Sequence, residues 1–139
     1  MNIRHADFIS DLADIRRVRF AVFVDEQKVP AEIEMDDRDP VCIHLLALDA
    51  EAAVGTARID LGRFGKVGRL AVLASHRRRG VGMALMHGLH QIAVENQLAK
   101  VWCNAQVSAV PFYQRLGYRV SSGPFYEADI EHVKMERDI

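Results

Sequence analysis

Apolar residues recur at three- and four-residue spacing over Leu12, Ile15, Val18 and Val22, and again over Val81, Leu85, Leu89 and Ile92. Each series occupies one face of a helix, so the pattern predicts amphipathic helices, one ending near Asp25 and one covering residues 80–97. Ser10 or Asp11 stands where the first would be capped. Between them the apolar runs are too short for helices. Residues 43–49 and 52–60, joined at Ala50 and Glu51, read as an antiparallel hairpin, and residues 2–5, 68–73, 100–105, 118–121 and 130–136 as further strands. Gly62, Gly65 and Gly68 mark a turn. Ser108 can cap a shorter helix that tolerates Pro111 in its first turn and stops at Gly117. Residues 26–40 hold two prolines and six carboxylates, which predicts a loop with at most a short helix.

The resulting order, β-α-β-β-β-α-β-α-β-β, describes a mixed α/β layer with a central sheet flanked by helices. Its middle unit, from the strand ending at Leu73 through the helix after Gly80 to the strand at Lys100, has the form of a right-handed crossover. Ligands of open sheets gather at strand C-termini, which directs attention to residues 72–82.

Composition narrows the class. The chain has 139 residues, half of them hydrophobic and 27% charged, with a formal net charge of -1, as expected of one domain with one core. No apolar run approaches the roughly 20 residues of a membrane span. Arg4, His5 and Asp7 interrupt the N-terminus where an export signal would be apolar, so a cytoplasmic location is expected. Near-neutral charge argues against nucleic acid as a partner. Cys42 and Cys103 are too few for a disulfide framework, and both fall in or beside apolar strands, as buried thiols do. His87 and His90 share a helix face, but no metal-binding motif accompanies them, so no metal is expected.

Candidate chemistry concentrates in His76-Arg77-Arg78-Arg79-Gly80-Val81-Gly82-Met83-Ala84. The loop precedes a long helix, whose first turn presents unpaired N–H groups and a partial positive charge suited to phosphate oxygens. Gly80 and Gly82 allow the main chain to approach an anion closely, and the arginines add permanently charged donors. The alternative is a solvated basic turn. A P-loop would need Lys-Ser/Thr where Met83-Ala84 stand, and a dinucleotide fingerprint a third small residue where Leu85 stands.

Arg77, Gly80 and Gly82 resemble the Arg/Gln-x-x-Gly-x-Gly/Ala pyrophosphate signature of the GCN5-related N-acetyltransferases. Asn104-Ala105 followed by the segment from Ala109 to Tyr118 resembles that family's A-x-x-F-Y-x-x-x-G-F/Y segment. A third stretch, from Phe23 to Glu32 with Asp36, is similar to the ElaA/YjcF-like branch of small bacterial members. The resemblance covers nearly the whole chain and implies acetyl transfer from acetyl-CoA to an amine acceptor in a ternary complex. It implies that the pantetheine arm pairs with the main chain of Leu70, Ala71 and Val72, and that the pyrophosphate rests on the amides from Arg77 through Arg78, Arg79, Gly80 and Val81 to Gly82 and Met83. Asn104 would contact the arm, while Phe112, Tyr113 and Arg115 close the other side. Tyr113 would protonate the departing thiolate.

An amine has a pKa near 10, so attack needs a base or a water relay. Glu26 ranks first, with Glu34, Asp36, Asp37, Glu127 and His132 open. The acidic loop is expected to favour a cationic acceptor. A non-catalytic acyl-CoA-binding module and a homodimer through C-terminal edge strands both remain open.

Overall fold

The computed structural model describes residues 1–139. Its strands are β1 (Asn2–Ala6), β2 (Ile43–Asp49), β3 (Ala52–Asp60), β4 (Lys66–Val72), β5 (Lys100–Gln106), β6 (Arg119–Val120), β7 (Phe125–Glu127) and β8 (Ile130–Asp138). Its helices are α1 (Leu12–Arg19), which widens into a π-helical stretch over Phe20–Glu26, α2 (Ala31–Glu34), α3 (Val81–Glu95) and α4 (Val110–Arg115). The strands form one sheet in the order β1-β2-β3-β4-β5-β8-β6, with β7 following β6 along the same edge of β8. Every pairing is antiparallel except β4 with β5. No helix is long and apolar enough to cross a membrane.

Two apolar cores sit on opposite faces. The larger joins the α3 stripe, Val81, Leu85, Leu89 and Ile92, to alternate residues of β2, β3, β5 and β8. The smaller lies under α1, where Ile15, Val18 and Val22 meet Leu46, Ala53 and Ala71. Burying such side chains contributes roughly 1.5–3 kcal/mol each, so the two stripes anchor the helices. Because α1 contacts β3 and β4 but is not packed on β5 or β8, that face stays partly open. Asn104, Gln106 and His132 stand on it, and the register pairs Gln106 with His132.

Several sequence expectations are adjusted. Gly68 lies within β4, which begins two residues earlier at Lys66. Asp11 holds the N-cap position of α1, but its carboxylate accepts from the Asp7 amide (2.8 Å) and from Arg4 (2.9 and 3.0 Å). A 3-10 turn, Val107–Ala109, absorbs Ser108, and Ala109 precedes α4. Gly117 does follow α4 with φ +87°.

Candidate active site

The decisive feature of the sheet is that β4 and β5 touch only at their starts. The sole register pair is Lys66 with Trp102, and the Trp102 amide donates to the Gly65 carbonyl at 3.2 Å. Beyond that point the strands splay. A bulge helps to create the opening: between Thr56 and Arg58 of β3 the register skips one residue of β4, and Arg69 takes φ +48°. Ala71 and Val72 still pair with Thr56 and Gly55, so β4 remains anchored on one side while no strand pairs with its inner edge beyond Lys66. Free strand edges hold main-chain donors and acceptors ready for an extended ligand.

At the end of β4 the chain enters the glycine-containing loop. Gly80 adopts φ +78° ahead of α3, a conformation in which a Cβ would be strained. The Ala84 amide begins the α3 ladder by donating to the Gly80 carbonyl at 3.0 Å. The amides of residues 78–83 donate to nothing in the chain. A Cβ on Gly82 would lie 3.4 Å from the Phe112 ring, so α4 already covers that surface closely. Arg78, itself at φ +62°, and Arg79 are exposed and free of ion pairs, whereas Val81 is buried and Met83 half-buried.

Arg77 is engaged elsewhere. It donates to both oxygens of Glu26 at 2.6 and 2.8 Å, and through Nε to the Val72 carbonyl at 3.0 Å. The guanidinium holds the Glu26 carboxyl below the usual carboxylate range. Glu26, expected as the base, is exposed and does not line the cleft between the strands. Arg115, in the last turn of α4, is also outside that cleft.

The cleft has a volume of about 480 Å³ and is lined by Leu70, Asn104, Phe112 and Tyr113 among the residues expected to bind the cofactor, whereas Ala71, Val72 and residues 77–83 lie outside its lining. Tyr113 is 8% exposed, stacks edge-on against Phe112 and Tyr118, and lines the cleft with a hydroxyl that has no hydrogen-bond partner in the chain. Burial pushes its phenol well above the ordinary range, keeping it a neutral donor. His132 lines the cleft from β8. Its Nδ1 lies 2.6 Å from the Ile130 carbonyl, which can only accept, so Nδ1 carries a proton and the neutral ring would have its lone pair on Nε2. Nε2 is 3.7 Å from the Glu127 carboxylate, and the ring stacks on Phe125.

The acidic loop does not face the cleft as free negative charge. Arg19, fully buried, donates to Glu34 (2.6 Å), to Asp39 (2.7 Å) and to the Glu34 carbonyl (2.6 Å). Arg58 clasps Asp36 (2.7 and 2.9 Å) and Asp39 (2.6 Å), while Arg38 grips Asp60 at 2.8 Å through both oxygens. Burial raises the Glu34 carboxyl, whereas the arginines hold Asp36 and Asp39 low. Four of the loop's six carboxylates, Glu26, Glu34, Asp36 and Asp39, are thus paired with arginines, which leaves the exposed Glu32 and Asp37 as the free negative charge of the loop. The sequence did hold a clue, because Arg19 falls four residues after Ile15 on an otherwise apolar face. His90, which shares a helix face with His87, contacts Tyr118 and Arg137 through its two nitrogens, and His76 contacts Ser75 and Asp49.

The family model for the GNAT acetyltransferase domain matches residues 11–139. The chain belongs to the GNAT acetyltransferase family. Members transfer an acyl group from acyl-CoA to an acceptor. YjcF of Bacillus subtilis, described as an uncharacterized N-acetyltransferase, is 42% identical over 129 residues, 91% of this chain and 92% of that protein. Among solved structures, Escherichia coli ElaA superposes with a TM-score of 0.88 at 27% identity, covering 99% of both chains. An acyl-CoA N-acyltransferase from Pseudomonas aeruginosa gives 0.86 at 29% identity, covering 98% of this chain and 97% of the other. These likenesses support the ElaA/YjcF-like branch of the family and the mixed α/β fold.

Proposed function

We propose that the protein transfers an acetyl group from acetyl-CoA to the amine of a small acceptor, by direct attack within a ternary complex. The observation that carries this reading is the run of unpaired amides at residues 78–83, which follows the end of β4 beyond the splay and packs at Gly82 against Phe112 of the cleft wall. Those amides and the first turn of α3 suit a diphosphate. Arg78 and Arg79 add charge at the rim. The inner edge of β4 at Leu70, Ala71 and Val72, where only the Val72 carbonyl already accepts from a side chain, that of Arg77, suits the amides of a pantetheine arm, with Asn104 facing it from β5, and directs a main-chain donor at the thioester oxygen. Phe112 covers Gly82, and Tyr113 stands beside the sulfur.

In this reading His132 takes the place of Glu26 as base. Its Nε2 removes one proton from the acceptor ammonium and passes it to water. The amine nitrogen then forms a bond to the thioester carbon, and the carbonyl electrons move to oxygen. Collapse breaks the C–S bond. The nitrogen sheds a second proton, balancing the one Tyr113 gives to the thiolate. The products are an amide, free CoA and one proton released.

Thermal denaturation with and without CoA tests the cradle. Millimolar CoA at about a hundred times its Kd should stabilise the fold by about 2.7 kcal/mol, and Gly82→Val and Arg79→Glu should remove most of that gain. No shift in folded wild-type protein would refute the reading.

A further inference from the structure

The wall of the cleft holds two charged groups that find no close counter-ion in the chain, and their charges are opposite. Four carboxylates line it: Glu34, Asp36, Asp60 and Glu127. The first three each accept from an arginine at 2.6–2.8 Å. Glu127 has no arginine, only the His132 ring at 3.7 Å. Among the cations, Arg58 and Arg69 face Asp36, and Arg63 reaches Asp60 at 3.9 Å. Lys66 pairs with no carboxylate, and its Nζ lies 5.3 Å over the Trp102 ring.

Lys66 is also half-buried; Glu127 is the strongest single charge acting on it, and the guanidiniums of Arg63, Arg58 and Arg69 oppose that attraction. Burial accordingly lowers its ammonium from the ordinary lysine range. A desolvated ammonium among like charges is unfavourable until an anion joins it. Glu127 and His132 present the complementary arrangement, a carboxylate to hold an ammonium beside a lone pair to deprotonate it. An amine that carried no negative charge would satisfy Glu127 and leave Lys66 as it is. A purely anionic molecule would do the reverse and have nothing to acetylate. A volume of about 480 Å³ lies in the range of small-ligand pockets.

We infer that the acceptor is a small zwitterion, an amine that also bears a carboxylate or phosphate, with its ammonium at Glu127 and His132 and its anion on Lys66. The assignment rests on the acyl-transfer reading above. It makes Lys66 a specificity-determining residue distinct from the groups that perform the chemistry.

Release of free thiol from acetyl-CoA tests it with matched acceptors: an amino acid, its carboxamide, the corresponding decarboxylated amine, an aminoalkyl phosphate and a polyamine. An anion-bearing acceptor should exceed its neutral twin tenfold or more in kcat/KM. Better turnover of the amino acid assigns a carboxylate, and better turnover of the aminoalkyl phosphate a phosphate. Lys66→Met should raise KM for that acceptor about tenfold or more, leave its kcat within about twofold, and leave the neutral twin unaffected. Lys66→Arg should recover most of the loss, which separates recognition from a folding defect. Equal use of the twins, preference for the polyamine, or equal damage to both twins by Lys66→Met overturns the inference. So does the absence of turnover with every anion-bearing acceptor while CoA still raises the melting temperature. Failure of CoA to stabilise the protein strikes the acyl-transfer reading instead.

Discussion

Replacing Arg19 with methionine should be among the most damaging single changes in this chain. Arg19 is fully buried and donates four hydrogen bonds, to Glu34, to both oxygens of Asp39 and to the Glu34 carbonyl. Methionine replaces its stem but none of these. Asp39 would keep Arg58 at 2.6 Å, so the uncompensated charge falls on Glu34, whose remaining cation, Arg69, is 3.7 Å away. Removing one partner of a buried pair costs about 3–5 kcal/mol. For a domain of this size that is a fall in Tm of roughly 10–20 °C. Adding Glu34→Gln should restore part of the loss, because the amide needs no counter-ion. Urea denaturation of both variants provides the measurement. A loss below about 1 kcal/mol, or no recovery in the double variant, would refute the argument. The pH dependence has a definite sign as well. Asp36 and Asp39 are held below their unfolded values, so their contribution is complete above about pH 4 and disappears as pH falls through the folded values. Burial raises Glu34, so its protonation works in the opposite direction and blunts that loss.

Two further outcomes follow from the site. Tyr113→Phe should lower kcat roughly a hundredfold or more while leaving CoA stabilisation intact, whereas Glu26→Gln should leave kcat within a few-fold of wild type; steady-state kinetics decide, and the reverse ranking would return the base to Glu26. Burial pushes the Cys42 and Cys103 thiols up to about 11 and about 12, so neither should react with Ellman's reagent near pH 8 faster than the protein unfolds. Rapid labelling of one equivalent would contradict that.

The periodic segments were legible because burial imposes their pattern. The stripes of α1 and α3 and the hairpin of β2 and β3 follow directly from it. The π-helical stretch after Arg19 was not, since an apolar stripe looks the same whether one turn holds an extra residue or not. Strand β7 escaped notice because it is three residues long, mostly exposed, and exists through backbone pairing to β8. At the site, the phosphate-binding loop was visible because its glycines and arginines are contiguous. The arginine and carboxylate network was hidden because its partners lie 15 to 22 residues apart, as in Arg19 with Glu34 and Arg58 with Asp36. Carboxylates clustered in sequence looked like an exposed attractor until their counter-ions came from elsewhere in the fold.

The single ladder contact between Lys66 and Trp102 has a mechanical meaning. Strands β1 to β4 form one panel and β5 to β8 another, and hydrogen bonding scarcely joins them. What keeps the panels together is α3, which packs across both. An extended molecule lying along the inner edge of β4 would supply a missing seam. Substrate would then lend cohesion to the very sheet that binds it, and the loaded protein would resist opening along a line where the free one is weakest.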